Sequence, residues 1–433
     1  MISAQILRRA GTACLAAATV VGMSVAPALA GADILFMSTQ LRPLEEAQKM
    51  REVILKDFPE AVEFVPEDTG PFLTRIKAEG ETGKVTVGVI GALHGDLPPV
   101  IQYLDGLDDV MAKLSADRKF IPAFAELGKL GTDRQVYVPW MQATYIMAAN
   151  RKALEYLPEG ADLNRLTYDQ LAAWAKAVTE ATGERKLGFP AGPKGLMHRF
   201  LQGYLYPSYT GGVVRTFKSA EAREMWAAFR DLWQYVNPRS TSYDFMQEPL
   251  LAGEVWIAFD HTARLMNALR DKPEEFVAFA APAGPKGRGF MPVVAGLAVP
   301  KGTPDREASA RLIDYLTRPE TQVVTLREVG FYPAVDATLP EDLPAGIRLA
   351  AAAIGAQAGA PDALPSLLPV GLGGKGGEFN KVYRDTLQRI VIRGEAIDEA
   401  LAVQAERLAR IMQETGAPCW APDAPSEGAC PVE

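Results

Sequence analysis

The sequence predicts an α/β protein with a largely parallel sheet, and three observations support that fold class. Short apolar runs of strand character alternate with segments whose apolar residues recur at helical spacing. The 433 residues are enough for two domains, or three. With 48% hydrophobic and 23% charged residues, the composition is that of an ordinary globular chain.

The alternation begins directly after residue 30. A strand at "ADILFM" precedes a helix at "PLEEAQKMREVILKDF". A strand at "AVEFV", a helix at "PFLTRIKAE" and a strand at "KVTVGVIGAL" follow. Because helices separate these strands, the three strands are predicted to pair in parallel within one sheet.

The middle of the chain continues in the same way. The strand "RQVYVPW" leads to "TYIMAANRKALEYLP", and Thr167 with Gln170 predicts a capping box for a helix over 168–183. A helix at 219–236, a strand at 254–260 and a strand that ends in a Gly/Pro turn at 276–290 come next. Between them, "GYLYPSYTGG" is interpreted as a loop that contains three tyrosines.

The stretch 298–322 predicts a strand followed by two helices. Thr303 is suited to cap the first helix, which runs to Leu316. Thr317 with Glu320 predicts a capping box for the second helix. The rest of the chain is predicted to be mainly helical, so a strand and a broken helix occur late, after one globular unit is already complete.

The first thirty residues differ from the rest. Arg8 and Arg9 precede a run of small apolar residues that ends at Ala28-Leu29-Ala30, which matches the charged, apolar and cleavage regions of a signal peptide. We expect residues 1–30 to be removed, a mature N-terminus at Gly31 and a periplasmic protein. A retained membrane anchor is the alternative.

The net charge argues against two classes of partner. Residues 1–30 contain two arginines and no acidic residue, so their removal changes the formal charge from −8 to −10. An acidic chain without a basic cluster is poorly suited to bind nucleic acid or an anionic bilayer. We expect a monomer whose partner is a small-molecule solute.

Two cysteines remain after the predicted cleavage, Cys419 and Cys430. In an oxidising compartment this pair, on either side of a loop rich in Pro, Gly and Asp, predicts a disulfide bond. The bond would close a short loop and contribute about 3 kcal/mol in the chain-entropy description. Two free thiols on a flexible tail are the alternative.

The sequence contains few patterns of catalytic chemistry. His94, His198 and His261 are far apart, and no H-E-x-x-H motif, Cys/His cluster or G-x-S-x-G motif occurs. We therefore expect a protein that is not an enzyme and that holds no metal and no cofactor. An exported glycosidase with two paired carboxylates stays open as an alternative.

Polar and aromatic residues recur where the predicted strands end. "MSTQLRP", "PEDTGP" and "GALHGD" follow the first three strands, and "PWMQATY" and "FDHTARL" follow later ones. In open α/β sheets ligands bind beyond the carboxyl ends of the strands. Aromatic faces beside Asp, Gln, His and Thr suit a polyhydroxylated ligand, through stacking and hydrogen bonds to hydroxyl groups.

Several segments, in order, carry a family likeness: "ATYIMAANRKALEYLP", "LTYDQLAAWAKAVTEATGERKLGF", "LAGEVWIAFD" and, most specifically, "VVAGLAVPKGTPDREASARLIDYLTRPETQ" with "GFYPAV". Through them the chain resembles the extracellular solute-binding proteins of ABC importers, in particular the family that binds sugars. It departs from that family at Asp260-His261-Thr262, where Gly-Ser-Trp is frequent. No ligand is therefore carried over from a particular relative.

The resemblance implies a two-lobe periplasmic-binding-protein fold with three chain crossings and a ligand cleft between the lobes. The first lobe would comprise 31–138 and 284–330. The second would comprise 139–283 and 331–433, with the C-terminal helices and the Cys419–Cys430 loop. The crossings would lie near Pro139, near Pro282 and at "GFYPAV", which explains the late strand and helices as the completion of the first lobe.

The resemblance and the strand-end positions together predict the residues of the cleft. They are Thr39, Gln40, Asp68, His94, Asp96 and Gly296 on the first lobe, Trp140, Tyr145 and Phe331 at the crossings, and Tyr209, Thr210, Gly211, Asp260 and His261 on the second lobe. Trp140 or Tyr209 would stack on the ligand, and Asp96, Asp68 and Gln40 would bind its hydroxyl groups.

The resemblance also implies the function. A protein of this kind captures a sugar-like solute in the periplasm and delivers it to the permease subunits of an ABC importer in the inner membrane. The same fold with a polyamine, a peptide or a metal chelate as cargo is the alternative, and the tyrosines Tyr204, Tyr206 and Tyr209 would suit a chelate.

Overall fold

The computed structural model describes residues 33–41 and 44–433. The predicted signal peptide and the predicted N-terminus at Gly31 lie outside the described residues. Within them, no helix is both long and apolar enough to cross a membrane.

The described chain forms strands and helices in alternation, as the sequence predicts. The strands are β1 (Ile34–Ser38), β2 (Val62–Pro66), β3 (Val89–Leu93), β4 (Val138–Ala143), β5 (Tyr145–Asn150), β6 (Leu187–Gly188), β7 (Ile257–His261), β8 (Phe276–Phe279), β9 (Arg288–Phe290), β10 (Val293–Ala298), β11 (Tyr332–Pro333) and β12 (Ala363–Pro365). The helices are α1 (Leu44–Lys49), α2 (Thr69–Thr82), α3 (Asp108–Leu114), α4 (Pro122–Leu127), α5 (Tyr168–Thr182), α6 (Met197–Phe200), α7 (Tyr206–Thr210), α8 (Ala220–Trp233), α9 (Gln247–Leu251), α10 (Met266–Asp271), α11 (Arg306–Thr317), α12 (Pro319–Val329), α13 (Ala345–Ala358), α14 (Gly376–Leu387) and α15 (Ile397–Thr415).

The first lobe is built on a six-stranded sheet with the order β11-β4-β10-β3-β1-β2. β1 pairs in parallel with both β2 and β3, which confirms the three predicted parallel neighbours. β10 lies antiparallel between β3 and β4. It runs in the opposite direction because the chain enters it on its way back from the other lobe.

The second lobe is built on a four-stranded sheet with the order β6-β7-β5-β8. β5 pairs antiparallel with β7 and with β8, and the β6–β7 pair is parallel. The expectation of a largely parallel sheet therefore fits the β2-β1-β3 part of the first lobe and does not fit the second lobe.

The strands show where the chain changes lobe. Thr144 is the one residue between β4 of the first sheet and β5 of the second. The expected boundary after residue 138 is thus too early, because Val138–Ala143 pairs with β10. β11 likewise still pairs with β4, so the third crossing follows Pro333 and the expected boundary at 331 is also too early.

The helices follow local sequence signals, with two exceptions. The capping box of α5 is confirmed, since Thr167 and Gln170 exchange hydrogen bonds of 3.2 and 3.0 Å. Thr303 does not cap α11, because Asp305 accepts from the N–H of Ala308 at 2.9 Å instead. The capping box at Thr317 is wrong, because this hydroxyl donates to the carbonyl of the preceding turn and α12 has no side-chain cap.

The segment with three tyrosines is helical, so its interpretation as a loop is wrong. α6, a wider helical turn at Leu201–Leu205 and α7 follow one another without a break. Tyr204 and Tyr206 are fully buried in the core of the second lobe. The Tyr204 hydroxyl is held by both backbone groups of Tyr145, at 3.0 and 2.8 Å. These two side chains fill space in the core and do not form a chelate site.

The C-terminal tail is fixed to the second lobe. Cys419 and Cys430 form a disulfide bond, as predicted, and both lie in the hydrophobic core of that lobe. Asp423, inside the closed loop, accepts three backbone N–H groups from residues 213–215 at 3.0, 2.8 and 3.1 Å. The tail is therefore part of the folded lobe.

Candidate functional site: a cavity between the lobes

A cavity of about 170 Å³ lies where the two lobes meet. Residues that line it from the first lobe are Thr69, Leu73, Leu93, Gly95, Asp96 and Pro99, and from the second lobe Arg199, Leu368, Pro369, Leu372, Gly373, Gly376 and Asn380. The lobes touch at its edge, since a Cβ at Gly95 would lie 3.0 Å from the carbonyl oxygen of Pro369. We call these two sides the first wall and the second wall.

The first wall forms at the carboxyl ends of three parallel strands. Gly95 and Asp96 follow β3, Thr69 begins the helix after β2, and Thr39 and Gln40 follow β1. Strand ends gather in this way because parallel neighbours finish at the same edge of the sheet. The predicted placement of this side of the cleft is consistent with the cavity.

Hydrogen bonds connect Asp96 of the first wall to Thr39 and Gln40, which follow the neighbouring strand β1. The Thr39 hydroxyl donates to the Asp96 carboxylate at 3.1 Å, and the Gln40 amide donates to the Thr39 hydroxyl at 3.1 Å. Thr39 is buried, whereas Gln40 and Asp96 are partly exposed. A carboxylate held in this way presents acceptor oxygens in a fixed position to a hydroxyl group of a solute.

His94 and Gly296 support the first wall from beneath. His94 is buried, its Nδ1 lies 3.0 Å from the Tyr137 hydroxyl, and burial lowers its pKa to about 4. Gly296 leaves the space that the Tyr137 ring occupies, since a Cβ there would lie 2.0 Å from that ring. The structure therefore corrects the prediction of direct ligand contact for Gly296, which has a packing role.

Asp68 lies beside the cavity. It immediately precedes α2 and is exposed, while its neighbour Thr69 lines the cavity. Its place on the chain agrees with the prediction of a residue after β2. A direct contact between Asp68 and a ligand stays a prediction.

The second wall comes from helices and from the segment before α14. Arg199, on α6, donates to the Gln202 amide oxygen at 3.3 Å, and the Gln202 amide nitrogen donates to the Asn380 amide oxygen at 3.0 Å. Gln202 is buried, while Arg199 and Asn380 are partly exposed. The two side chains of this hydrogen-bonded series that line the cavity, Arg199 and Asn380, thus come from α6 and α14, which are far apart in the sequence.

Tyr145 and His261 lie behind the second wall. They are register partners in β5 and β7, and their rings meet edge to face at 5.0 Å. Burial raises the pKa of Tyr145 to about 12, and Arg199 opposes that shift, which places the phenol close to the guanidinium. Burial lowers the pKa of His261 to about 3, and its Nδ1 accepts from the N–H of Ala263 at 3.2 Å. His261 therefore caps a turn in its neutral form.

Phe331 packs against the cores of both lobes, as does Leu93. Phe331 follows the C-terminal glycine of α12 and precedes β11, two residues before the third crossing begins. Phe331 therefore lies close to the third crossing, and its contact with the ligand stays a prediction.

Two predicted ligand contacts are core residues instead. Trp140 is fully buried against Phe36 in the core of the first lobe, with ring centroids 5.5 Å apart, so no face of its ring is open to a ligand. Asp260 is fully buried, accepts from the N–H groups of Met246 and His261 at 3.0 and 2.8 Å, and has a pKa that burial raises to about 7. It fixes the backbone before α9.

The predicted group at Tyr209, Thr210 and Gly211 lies away from the cavity. These residues form the end of α7, whose neighbours are α8, β9 and the Leu201–Leu205 turn. The Tyr209 ring packs on Tyr168 at 5.5 Å, and the Thr210 hydroxyl bonds to the backbone of its own turn. Within the described chain none of the three lines the cavity, because the segment is a helix packed on its own lobe.

Sequence reasoning missed the second wall. Arg199 belongs to "MHRF" on α6, and 368–376 belongs to a stretch that reads only as a Gly-rich loop. Neither follows a strand that the sequence predicts, so the strand-end rule gives no signal for them. The one feature that marks the position is an arginine in a mainly apolar stretch that also contains His198 and Gln202.

Larger hollows exist on the surface. They include one of about 500 Å³ along residues 111–125, one of about 370 Å³ beside β11 and α13, one of about 320 Å³ beside residues 252–254 and one of about 290 Å³ between α14 and α15. None of these four reaches the carboxyl ends of β1, β2 and β3. The cavity between the two walls is the candidate because residues of both lobes and the strand ends of the first lobe meet there.

The described lining of the cavity carries one charged group of each sign. Among the described lining residues Asp96 is the one carboxylate and Arg199 the one cation. In the described part of the chain, no group of three His, Cys, Asp or Glu side chains is arranged to hold a metal ion. The first wall presents acceptors and a hydroxyl, and the second wall presents hydrogen-bond donors.

Sequence comparison finds a family match. The profile of the family described as "Bacterial extracellular solute-binding protein" matches residues 44–323. A comparison with curated proteins finds no match.

Comparison with solved structures finds proteins of the same fold. Maltose-bound MalE3 of T. maritima is 20% identical, over 87% of this chain and 98% of that one, with a TM-score of 0.65. UgpB of Mycobacterium tuberculosis, with glycerophosphocholine, is 17% identical over 88% and 98%, with a TM-score of 0.67. An ABC transporter solute-binding protein of Agrobacterium vitis S4, with D-mannitol, is 17% identical over 89% and 99%, with a TM-score of 0.65. At these identities the likeness shows the fold alone.

Proposed function

The chain belongs to the bacterial extracellular solute-binding proteins, and on that premise we propose that it captures a sugar or sugar-like polyhydroxylated solute in the periplasm and delivers it to an inner-membrane ABC permease. The proposal includes a monomer that is exported through cleavage before Gly31. The binding site is the cavity between the first and second walls, closed by movement of the lobes about the three crossings.

The observation that carries the proposal is the composition of the first wall. Asp96 lines the cavity and is hydrogen-bonded to Thr39, which in turn is bonded to Gln40, both at the end of the neighbouring strand; Asp96 and Gln40 are partly exposed. Hydroxyl groups of a polyol match this hydrogen-bonded row, because each can both donate and accept. The proteins of the same fold that hold maltose and D-mannitol support the same class of ligand.

A binding function is favoured over glycoside hydrolysis. Glycosidases use two carboxyl groups, one on each side of the bond that breaks. Among the described lining residues Asp96 is the one carboxylate, and Arg199 stands on the opposite wall. This arrangement supports binding, since another carboxyl group of the first lobe, that of Asp68, lies beside the cavity and on the same side as Asp96.

The test is a thermal-shift screen of the purified mature chain. The panel holds glucose, maltose, mannitol, glucuronate, glucose 6-phosphate, glycerol 3-phosphate, putrescine and a dipeptide. A ligand at a hundred times its Kd stabilises the folded state by about 2.7 kcal/mol, which is a clear shift in Tm. We expect a polyhydroxylated compound to give the largest shift. If putrescine or the dipeptide raises Tm and no polyhydroxylated compound does, the proposed ligand class is wrong.

Export and assembly need separate measurements. N-terminal sequencing of the periplasmic fraction is expected to begin at Gly31, and gel filtration is expected to give the mass of one chain. An intact N-terminus in a membrane fraction would contradict export by cleavage.

A further inference from the structure

The second wall differs from the first in the polarity of its hydrogen bonds. The Gln202 amide oxygen is used by Arg199, and the Asn380 amide oxygen is used by Gln202. Each of the two amide oxygens therefore already accepts one hydrogen bond within the protein. The donors that this wall offers to the cavity are the remaining N–H groups of Arg199 and the amide nitrogen of Asn380.

Positive charge accumulates behind this wall. His198 is buried, and after burial itself the three causes that lower its pKa are Arg199, Arg384 and Arg264. Within the described chain Arg199 forms no ion pair with a carboxylate, and the charged group that faces it across the cavity is Asp96 on the other lobe. Gly376, the first residue of α14, lines the same side, with the positive end of the helix toward the cavity.

The hydroxyl groups of a neutral sugar can accept from the half-buried guanidinium of Arg199, but they bring no opposite charge to it. We propose that the solute carries an anionic group, a carboxylate or a phosphate, which Arg199 and Asn380 bind while its hydroxyl groups bind the row at Asp96. This inference rests on the proposed function and narrows its ligand class to a small acidic or phosphorylated polyol. A cavity of about 170 Å³ suits a solute smaller than the drug-sized ligands of typical pockets.

The experiment compares matched charged and neutral compounds by calorimetry on the mature chain. The pairs are glucuronate with glucose, glucose 6-phosphate with glucose, and glycerol 3-phosphate with glycerol. A hydrogen-bonded ion pair is expected to make at least one charged member bind roughly ten- to hundredfold more tightly than its neutral partner. Tighter binding of glucuronate would indicate a carboxylate, and tighter binding of glucose 6-phosphate or glycerol 3-phosphate would indicate a phosphate.

Three variants assign that preference to the second wall. Arg199→Gln is expected to remove it, and Arg199→Lys to retain part of it, because lysine keeps the charge and loses the planar pair of donors. Asn380→Asp is expected to weaken binding of the charged member by repulsion. Arg230→Gln, at an exposed arginine of α8, is the matched control and is expected to change nothing. Melting of each variant without ligand shows that it folds.

The outcomes separate the inference from the proposed function. If glucose or another neutral compound binds as tightly as its charged partner, and Arg199→Gln leaves that affinity unchanged, the anionic inference is rejected and the proposed function stands. If no polyhydroxylated compound of either kind binds, both are rejected. If Arg199→Gln does not fold, Asn380→Asp provides the test. Unchanged affinity of Asn380→Asp for the charged compound also rejects the inference.

Discussion

The two walls of the cavity are built by different rules. The first wall consists of loops that leave parallel strands at one edge of a sheet, and its groups lie within short stretches after β1, β2 and β3. The second wall is assembled from α6 and from the start of α14, 178 residues apart at the Gln202–Asn380 bond. The rule that ligands bind at the carboxyl ends of strands therefore locates the first wall. The second wall exists only through tertiary packing and has no such signal in the sequence.

The largest expected effect concerns a residue beneath the first wall. Trp140→Ala removes a fully buried indole from the core of the first lobe, and we expect a loss of about 3–5 kcal/mol in the free energy of unfolding. Urea unfolding followed by circular dichroism measures it. Affinity of the folded fraction is expected to be unchanged. If the variant is as stable as the parent chain but no longer binds the solute, the assignment of Trp140 to the core is wrong and Trp140 contacts the ligand.

Contact between the walls is tested at Gly95. The side chain in Gly95→Val would meet the Pro369 carbonyl oxygen and hold the lobes apart. If the closed state falls to about 1% of the population, the apparent affinity falls about a hundredfold. Calorimetry measures the affinity, and Gly355→Val, at a position with open space around its Cβ, is the control. Equal affinity in both variants would show that closure does not involve this contact.

The first wall itself is tested at Asp96. Asp96→Asn keeps the shape and removes the charge from the hydrogen-bonded row, and we expect ligand affinity to fall roughly ten- to hundredfold. Tyr209→Ala, outside the cavity, is expected to leave affinity unchanged. Calorimetry with the best compound of the screen measures both. The opposite pattern, with Tyr209 sensitive and Asp96 not, would place the ligand on α7.

The smallest expected effect is a pH dependence beneath the first wall. Burial lowers the folded-state pKa of His94 to about 4, below its ordinary value, so the unfolded chain binds more protons between about pH 6.5 and pH 4. The contribution of His94 is complete above pH 6.5 and decreases as the pH falls through that window. Between pH 7 and pH 5 the loss is about 1–2 kcal/mol.

The substitution His94→Gln isolates this contribution. Glutamine can keep a hydrogen bond to the Tyr137 hydroxyl and does not titrate. Urea unfolding at pH 7 and pH 5 is expected to show a smaller difference for the variant than for the parent chain. His261, whose pKa is about 3, continues to lower stability in acid, while Asp260, whose pKa is raised to about 7, acts in the opposite direction. Equal differences in parent and variant would exclude the titration of His94.

Local signals in the sequence predicted much of the fold. The helix after Thr167 and the parallel strands β1, β2 and β3 follow from periodicity and capping, which depend on neighbouring residues. The disulfide bond between Cys419 and Cys430 also follows from the sequence, because these two cysteines of a chain predicted to be exported stand on either side of a loop rich in Pro, Gly and Asp. What failed depended on distant packing. The predicted strand ends at Trp140, whereas β4 continues to Ala143, so Trp140 lies within the strand and its ring packs against Phe36 in the core.

The second wall shows why the rest was not predictable. Arg199 lines a cavity only in the folded chain, where Gln202 is hydrogen-bonded to Asn380 and Gly95 lies close to Pro369. No periodic pattern in the sequence indicates that these residues are in contact. The tyrosine segment, interpreted as a loop, is helical instead, and Pro207 lies in the first turn of α7, where a helix tolerates proline.

Hydrogen–deuterium exchange with and without the best compound of the screen tests the central claim, that the solute binds between the two walls. With the mature chain saturated, we expect protection in peptides that cover 38–40, 93–99 and 368–376, and at the segment around Arg199, with no change at 208–211. Protection at 208–211 together with none at 93–99 and 368–376 would contradict the account.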